Sequence, residues 1–154
     1  MENKSAPVLR LILADDDKDD CLIFQEVLAE LPVDTQLTLV HNGDQLMHEL
    51  ANTSAFLPDV LFLDLNMPRR DGNQCLVEIK SNPVLTQLPV IVYSTSYDQK
   101  TVLQLFDLGA RFYIRKPCDF VRLKEVIYDA LVSIREGRFP PDYEQFVLNA
   151  NLLP

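Results

Sequence analysis

Four polar clusters in this chain each follow directly on an apolar run. They are Asp15-Asp16-Asp17, Asp64, Ser94-Thr95-Ser96 and Lys116. Carboxylates that converge without a cation repel one another, so they either hold a proton or recruit a metal. The set is all oxygen, with no usable His or Cys, and favours a hard ion such as Mg²⁺, which takes one or two carboxylates and shares a phosphate. A lone Lys is a point-charge partner for a phosphate, and a Ser or Thr hydroxyl can donate to its oxygens. A carboxylate can also attack phosphorus and form an aspartyl phosphate. The residue types alone therefore describe a Mg²⁺-dependent aspartyl-phosphate site.

The elements that must position these residues are legible in the hydropathy. Short apolar runs occupy Val8 to Ala14, Gln36 to Val40, Val60 to Leu63, Val90 to Tyr93 and Phe112 to Ile114. Three are nearly continuous, without inside–outside alternation, as expected of strands covered on both faces. Between them Cys21, Phe24, Leu28 and Leu31 recur at helical spacing, as do Phe120, Leu123, Ile127, Leu131 and Ile134. Shorter helices are expected from Asp44 to Leu50, Gly72 to Ile79 and Gln99 to Leu108. Strand and helix alternate, which predicts an α/β fold with a parallel sheet. In such sheets ligands bind beyond the carboxyl ends of the strands, where all four polar clusters fall.

The chain has 154 residues, 47% apolar and 24% charged, and a formal net charge of −9. That is one domain's worth of ordinary globular composition. The acidic balance disfavours nucleic acid, and no apolar run is long enough for a membrane span. The four glycines make neither a dinucleotide fingerprint nor a P-loop. Three cysteines without a CxxC indicate neither a disulfide framework nor a zinc knuckle. The start, Met1 to Ser5, lacks a signal-peptide core, so a cytoplasmic location is expected.

At these residues the chain resembles a two-component response-regulator receiver domain. The resemblance rests on Asp15-Asp16, on Asp64-Leu65-Asn66-Met67-Pro68 with Asp71-Gly72, on Pro89 to Thr95, and on Lys116-Pro117, and covers roughly residues 8 to 136. It implies a flavodoxin-like, doubly wound, five-stranded parallel sheet of order 2-1-3-4-5. It implies Asp64 as phosphoacceptor, Asp16 as direct Mg²⁺ ligand, Asp15 as the acid holding the ion through water, and Asn66 as giving a backbone carbonyl. Ser94 stands at the switch hydroxyl, Lys116 at the lysine that contacts the phosphoryl group, and Tyr113 at the aromatic switch position. The Lys116–Pro117 bond is expected to be cis.

The resemblance also implies partners. A histidine kinase or phosphotransfer protein would supply phosphoryl, and the chain would be a regulator with slow self-dephosphorylation at most. Output would pass to a downstream protein through the face of the fourth helix, fifth strand and fifth helix, with a homodimer on phosphorylation as another route. On that face Leu103 and Phe106 are expected to turn inward and Val102 and Leu105 to lie at the edge or outside, and the alternative to a switch role for Tyr113 is a half-buried strand aromatic. Residues 1–137 would form the receiver and 138–154 a tail without a separate output domain. Phe139, Tyr143, Phe146 and Val147 suggest that this tail packs on its own domain or on a partner. Asp17, Asp19 and Asp20 read as surface charges favoured by a helix N-terminus. Two other classes remain open. One is a pseudo-receiver that binds partners without phosphorylation. The other is a phosphohydrolase of the haloacid-dehalogenase type, whose second Asp is replaced here by Asn66.

Overall fold

The computed structural model describes residues 7–52 and 57–148. Met1 to Ser5 and the last six residues of the tail lie outside them. Six strands, β1 (Leu9–Ala14), β2 (Thr35–Val40), β3 (Val60–Leu63), β4 (Val90–Ser94), β5 (Phe112–Arg115) and β6 (Val147–Leu148), form one sheet of order β2-β1-β3-β4-β5-β6. Every pairing is parallel. The helices are α1 (Lys18–Glu30), α2 (Gly43–Ala51), α3 (Gly72–Ser81), α4 (Gln99–Leu108), α5 (Phe120–Arg135) and the single turn α6 (Tyr143–Phe146).

Alternate strand residues feed two cores. Leu11, Leu13, Phe62, Ile91 and Ile114 pack on α1 and α5 around Phe24 and Ile127. Ile12, Leu61, Leu63, Val90 and Val92 pack on the opposite helices around Leu76, Ile79 and Leu105. Burial on both faces is why the runs lack alternation. Side-chain carboxylates start the helices: Asp17, Asp71 and Asp98 each accept the backbone N–H three residues on. Gly72 is required by close approach, since a Cβ there would stand 2.3 Å from the Asp64 carbonyl oxygen. Gly109, at φ 98°, ends α4 in the left-handed conformation.

Four expectations are corrected. The flavodoxin-like sheet has a sixth strand, because the tail turns back and pairs Val147 with Tyr113 and Leu148 with Ile114. On α4, Val102 and Leu105 are buried, whereas Leu103 is 41% exposed and Phe106 lies half-buried beneath the tail. Adjacent apolar stripes on one helix are about 100° apart, so the sheet and not the helix chooses between them. Tyr113 is fully buried, not half, because Phe146 and Tyr97 close over it, with ring centroids 6.5 and 6.2 Å away. The described residues contain no cis peptide bond, so Lys116–Pro117 is trans, the isomer favoured by about 0.5–1 kcal/mol.

Phe146 is the tail's anchor, fully buried against Phe106 at 5.2 Å between centroids. Truncating a buried Phe costs about 3–5 kcal/mol in a core. A short tail can detach instead, so the loss is bounded by its own docking. Phe146→Ala is expected to release Val147 and Leu148 from amide-exchange protection while β1, β3 and β4 stay protected. Protection retained at Val147 would show that strand pairing alone holds the tail.

Candidate functional site

The ladder runs one residue past the strands and thereby sets the site. The Asp15 amide donates to the Val40 carbonyl at 3.0 Å, Asp64 to Ala14 at 2.9 Å, and Lys116 to Ser94 at 2.8 Å. Asp15, Asp64 and Lys116, far apart in the chain, are thus aligned at one sheet edge by backbone bonds. Asp15, Asp16 and Asp64 present oxygens that all lie within 4.8 Å of one another. Asp15 and Asp64 are buried and Asp16 is exposed, so the cluster has two walls and one open side.

Hydrogen bonds hold the rest. Asp15 accepts the Asp17 amide on Oδ1 at 3.0 Å and the Lys116 ammonium on Oδ2 at 2.7 Å. Asp64 accepts the Asn66 amide on Oδ1 at 3.3 Å, and its Oδ2 is 3.6 Å from Lys116 Nζ. Lys116 also donates to Asp20 at 2.8 Å and stands 4.8 Å from the centre of the Tyr93 ring. Beside this group the Ser94 hydroxyl, fully buried, accepts the Ser96 amide at 3.2 Å. The Asn66 side-chain amide donates to the Ser96 hydroxyl at 3.1 Å, and the Tyr113 hydroxyl donates to the Ser96 carbonyl. A polar chain therefore runs from the carboxylates through Ser96 to the tyrosine under the tail.

The electrostatics follow from burial and mutual charge. Burial raises the Asp64 carboxyl from 3.8 to about 6, helped by Asp15 and opposed by Lys116 and the Asn66 amide. Burial alone would lower the Lys116 ammonium, but its bonds to Asp15 and Asp20 overcome that and hold it above its ordinary value. Three close oxygen donors, one already reluctant to ionise, suit a hard divalent cation and offer nothing to a soft one.

Asp15, Asp16, Asp64 and Lys116 thus meet at one point. Asn66 adjoins them through its backbone, Ser94 stands beside them, and Tyr113 lies apart at the far end of the polar chain. Asp20 is the participant missed in the sequence. A signal for it existed: a side chain in the first turn of a helix leans back toward the N-terminus, here toward the strand ends. Cys118 is exposed near the site and among the described residues has no thiol or His beside it in a metal-capable group.

A model described as the response regulator receiver domain matches residues 11–128. Response regulator Rcp1 of Synechocystis sp. is 33% identical over 120 residues, covering 75% of this chain and 82% of Rcp1. An uncharacterized response regulatory protein of Vibrio cholerae is 30% identical over 135 residues, 87% of this chain but 53% of its own length. Among solved structures, the phosphorylated cyanobacterial phytochrome response regulator RcpA superposes with a TM-score of 0.78 at 31% identity, covering 88% of this chain and all of that one. The Mn²⁺-bound form of Rcp1 superposes at 0.73 and 30% identity, covering 81% and 92%.

Proposed function

The chain belongs to the response-regulator receiver family, and on that premise we propose that Asp64 is its phosphoacceptor, charged with Mg²⁺ by a histidine kinase or phosphotransfer protein. The observation that carries this reading is the buried Asp64 carboxylate, within shared-ligand distance of Asp15 and Asp16 and 3.6 Å from a lysine ammonium. Asp16, Asp64 and the carbonyl of Asn66 would hold the ion, with Asp15 behind them. A hard cation there neutralises oxygens of the transferring group.

The remaining chemistry belongs to the chain. An Asp64 oxygen attacks phosphorus in line, and the new P–O bond forms as the P–N bond of the phosphohistidine breaks. The electron pair returns to the imidazole, which leaves neutral on taking a proton. Lys116 offsets the charge gathering on the phosphoryl oxygens. Ser94, buried and aimed by the Ser96 amide, is the hydroxyl positioned to donate to the product. That pull would act on Ser96 and, through it, on Tyr113 and the tail, biasing two pre-existing packings.

Output passes by protein contact through the α4–β5–α5 face. The tail covers its β5 side, and Leu103, Val121 and Tyr128 stay exposed for a downstream protein or a second copy. Residues 1–137 act as the receiver and the tail as its cover. No helix among the described residues is long and apolar enough to cross a membrane, and a cytoplasmic location accords with a phosphohistidine donor. The role is that of a regulator that is modified once per cycle, not of a turnover enzyme.

Acetyl phosphate with Mg²⁺ tests this reading: one hydroxylamine-labile phosphoryl group should be incorporated, and none would leave a partner-binding pseudo-receiver. The metal assignment is separable. Asp16→Asn is expected to weaken Mg²⁺ tenfold or more by calorimetric titration, since it removes charge from a set of roughly three donors. Unchanged affinity would remove Asp16 from the site.

A further inference from the structure

We infer that Asp20 is a positioning residue for phosphoryl transfer, which anchors the Lys116 ammonium so that its free N–H faces Asp64. The inference rests on the phosphoacceptor reading above and deepens it. An ammonium has three donors. Two are spent, on Asp15 Oδ2 at 2.7 Å and Asp20 Oδ2 at 2.8 Å. Asp64 Oδ2 at 3.6 Å is beyond a hydrogen bond, so the third donor is uncommitted and lies on the side where a phosphoryl group on Asp64 would arrive. The Lys116 side chain is 7% exposed and rests against the Tyr93 ring, which leaves a long flexible stem little other freedom.

The two anchors are not equivalent. Asp15 belongs to the metal-capable trio, and Asp20 does not. A divalent cation held by that trio would compete with Lys116 for Asp15 and would repel the ammonium. Asp20 is the carboxylate that still holds it then. Its place is fixed from below, because the Asp20 amide donates to the Asp17 carboxylate that caps α1, at 3.0 Å. Without Asp20, the lysine would face a bound cation with its main remaining partner engaged elsewhere.

The test compares the full chain with Asp20→Asn and Asp20→Glu. With Mg²⁺ and acetyl phosphate, Asp20→Asn should slow phosphoryl incorporation roughly tenfold to a hundredfold, the range for a lost outer contact or a misplaced group. Asp20→Glu should recover most of the rate, and Mg²⁺ affinity should change little. In a Lys116→Met background Asp20→Asn should add nothing. A second readout needs no turnover: the Nζ resonance of Lys116 in metal-free, ¹⁵N-lysine-labelled protein should exchange slowly with water and should be lost in Asp20→Asn. Unaltered incorporation in Asp20→Asn, an equal effect in the Lys116→Met background, or an unchanged Nζ resonance would each overturn the inference. Absence of incorporation in the unaltered chain would instead refute the phosphoacceptor reading, and the Nζ resonance would still report the anchor.

Discussion

Asp64→Asn is expected to take up no phosphoryl group under conditions in which the unaltered chain takes up one. An amide is not a nucleophile toward phosphorus, and the other acids are poor substitutes. Both oxygens of Asp15 are engaged, by Lys116 and the Asp17 amide, and Asp16 sits on the exposed side among the candidate metal ligands. Phosphate retained in the variant, or found on Ser94 or Thr95, would refute the assignment. The same substitution should stabilise the metal-free protein at neutral pH. Burial raises the Asp64 carboxyl to about 6 from an ordinary 3.8. The folded chain therefore binds more protons than the unfolded chain between those values. The group's contribution is fully present below pH 4 and is lost as pH rises through 6. Above that, ionising Asp64 costs on the order of 3 kcal/mol, which Asn does not incur. Asp64→Asn without metal should melt several degrees higher than the unaltered chain at pH 7, and close to it at pH 4. Equal melting at both pH values would deny the raised pKa.

Lys116→Ala should be the most destabilising single change at the site when metal is withheld. It removes the cation between Asp15, which is fully buried, and Asp64, whose side chain is 8% exposed. Breaking a buried pair by deleting one partner costs about 3–5 kcal/mol, because the remaining charge is left uncompensated. For a chain of this length each kcal/mol shifts melting by about 2–4 °C, so calorimetry in EDTA should show a drop of about 10 °C. Mg²⁺ should restore part of it, since a cation replaces the missing charge, and should still bind. Phosphoryl incorporation should remain impaired with Mg²⁺ present, because the donor for the phosphoryl oxygens is gone. An unchanged melting temperature in EDTA would show that the carboxylates stay protonated or hydrated without Lys116.

Much of this molecule is local and therefore legible in the chain. A strand buried on both faces must be apolar throughout, so β1, β3 and β4 announce themselves as runs. Asp17, Asp71 and Asp98 mark helix starts because a carboxylate can accept the first free amides. The polar residue that follows each run then falls at one edge, since a parallel sheet brings all carboxyl ends to the same side. That much determined the α/β class, the sheet edge and the convergence of Asp15, Asp64 and Lys116.

What only the tertiary structure decided are choices between locally equal options and contacts made by very short segments. On α4 the pairs Val102 with Leu105 and Leu103 with Phe106 define two stripes, and the sheet with the tail selected Val102 and Leu105. Asp17, Asp19 and Asp20 look alike at a helix start, yet Asp20 alone of the three reaches a lysine 96 positions away. The tail holds one helical turn and a two-residue strand, too short for any periodicity to register and too short to be stable alone. It acquires structure because β5 offers an unpaired edge and Tyr113 with Phe106 offers Phe146 a place out of water. Hydrophobic burial is set by three-dimensional neighbours, and no window of sequence contains them.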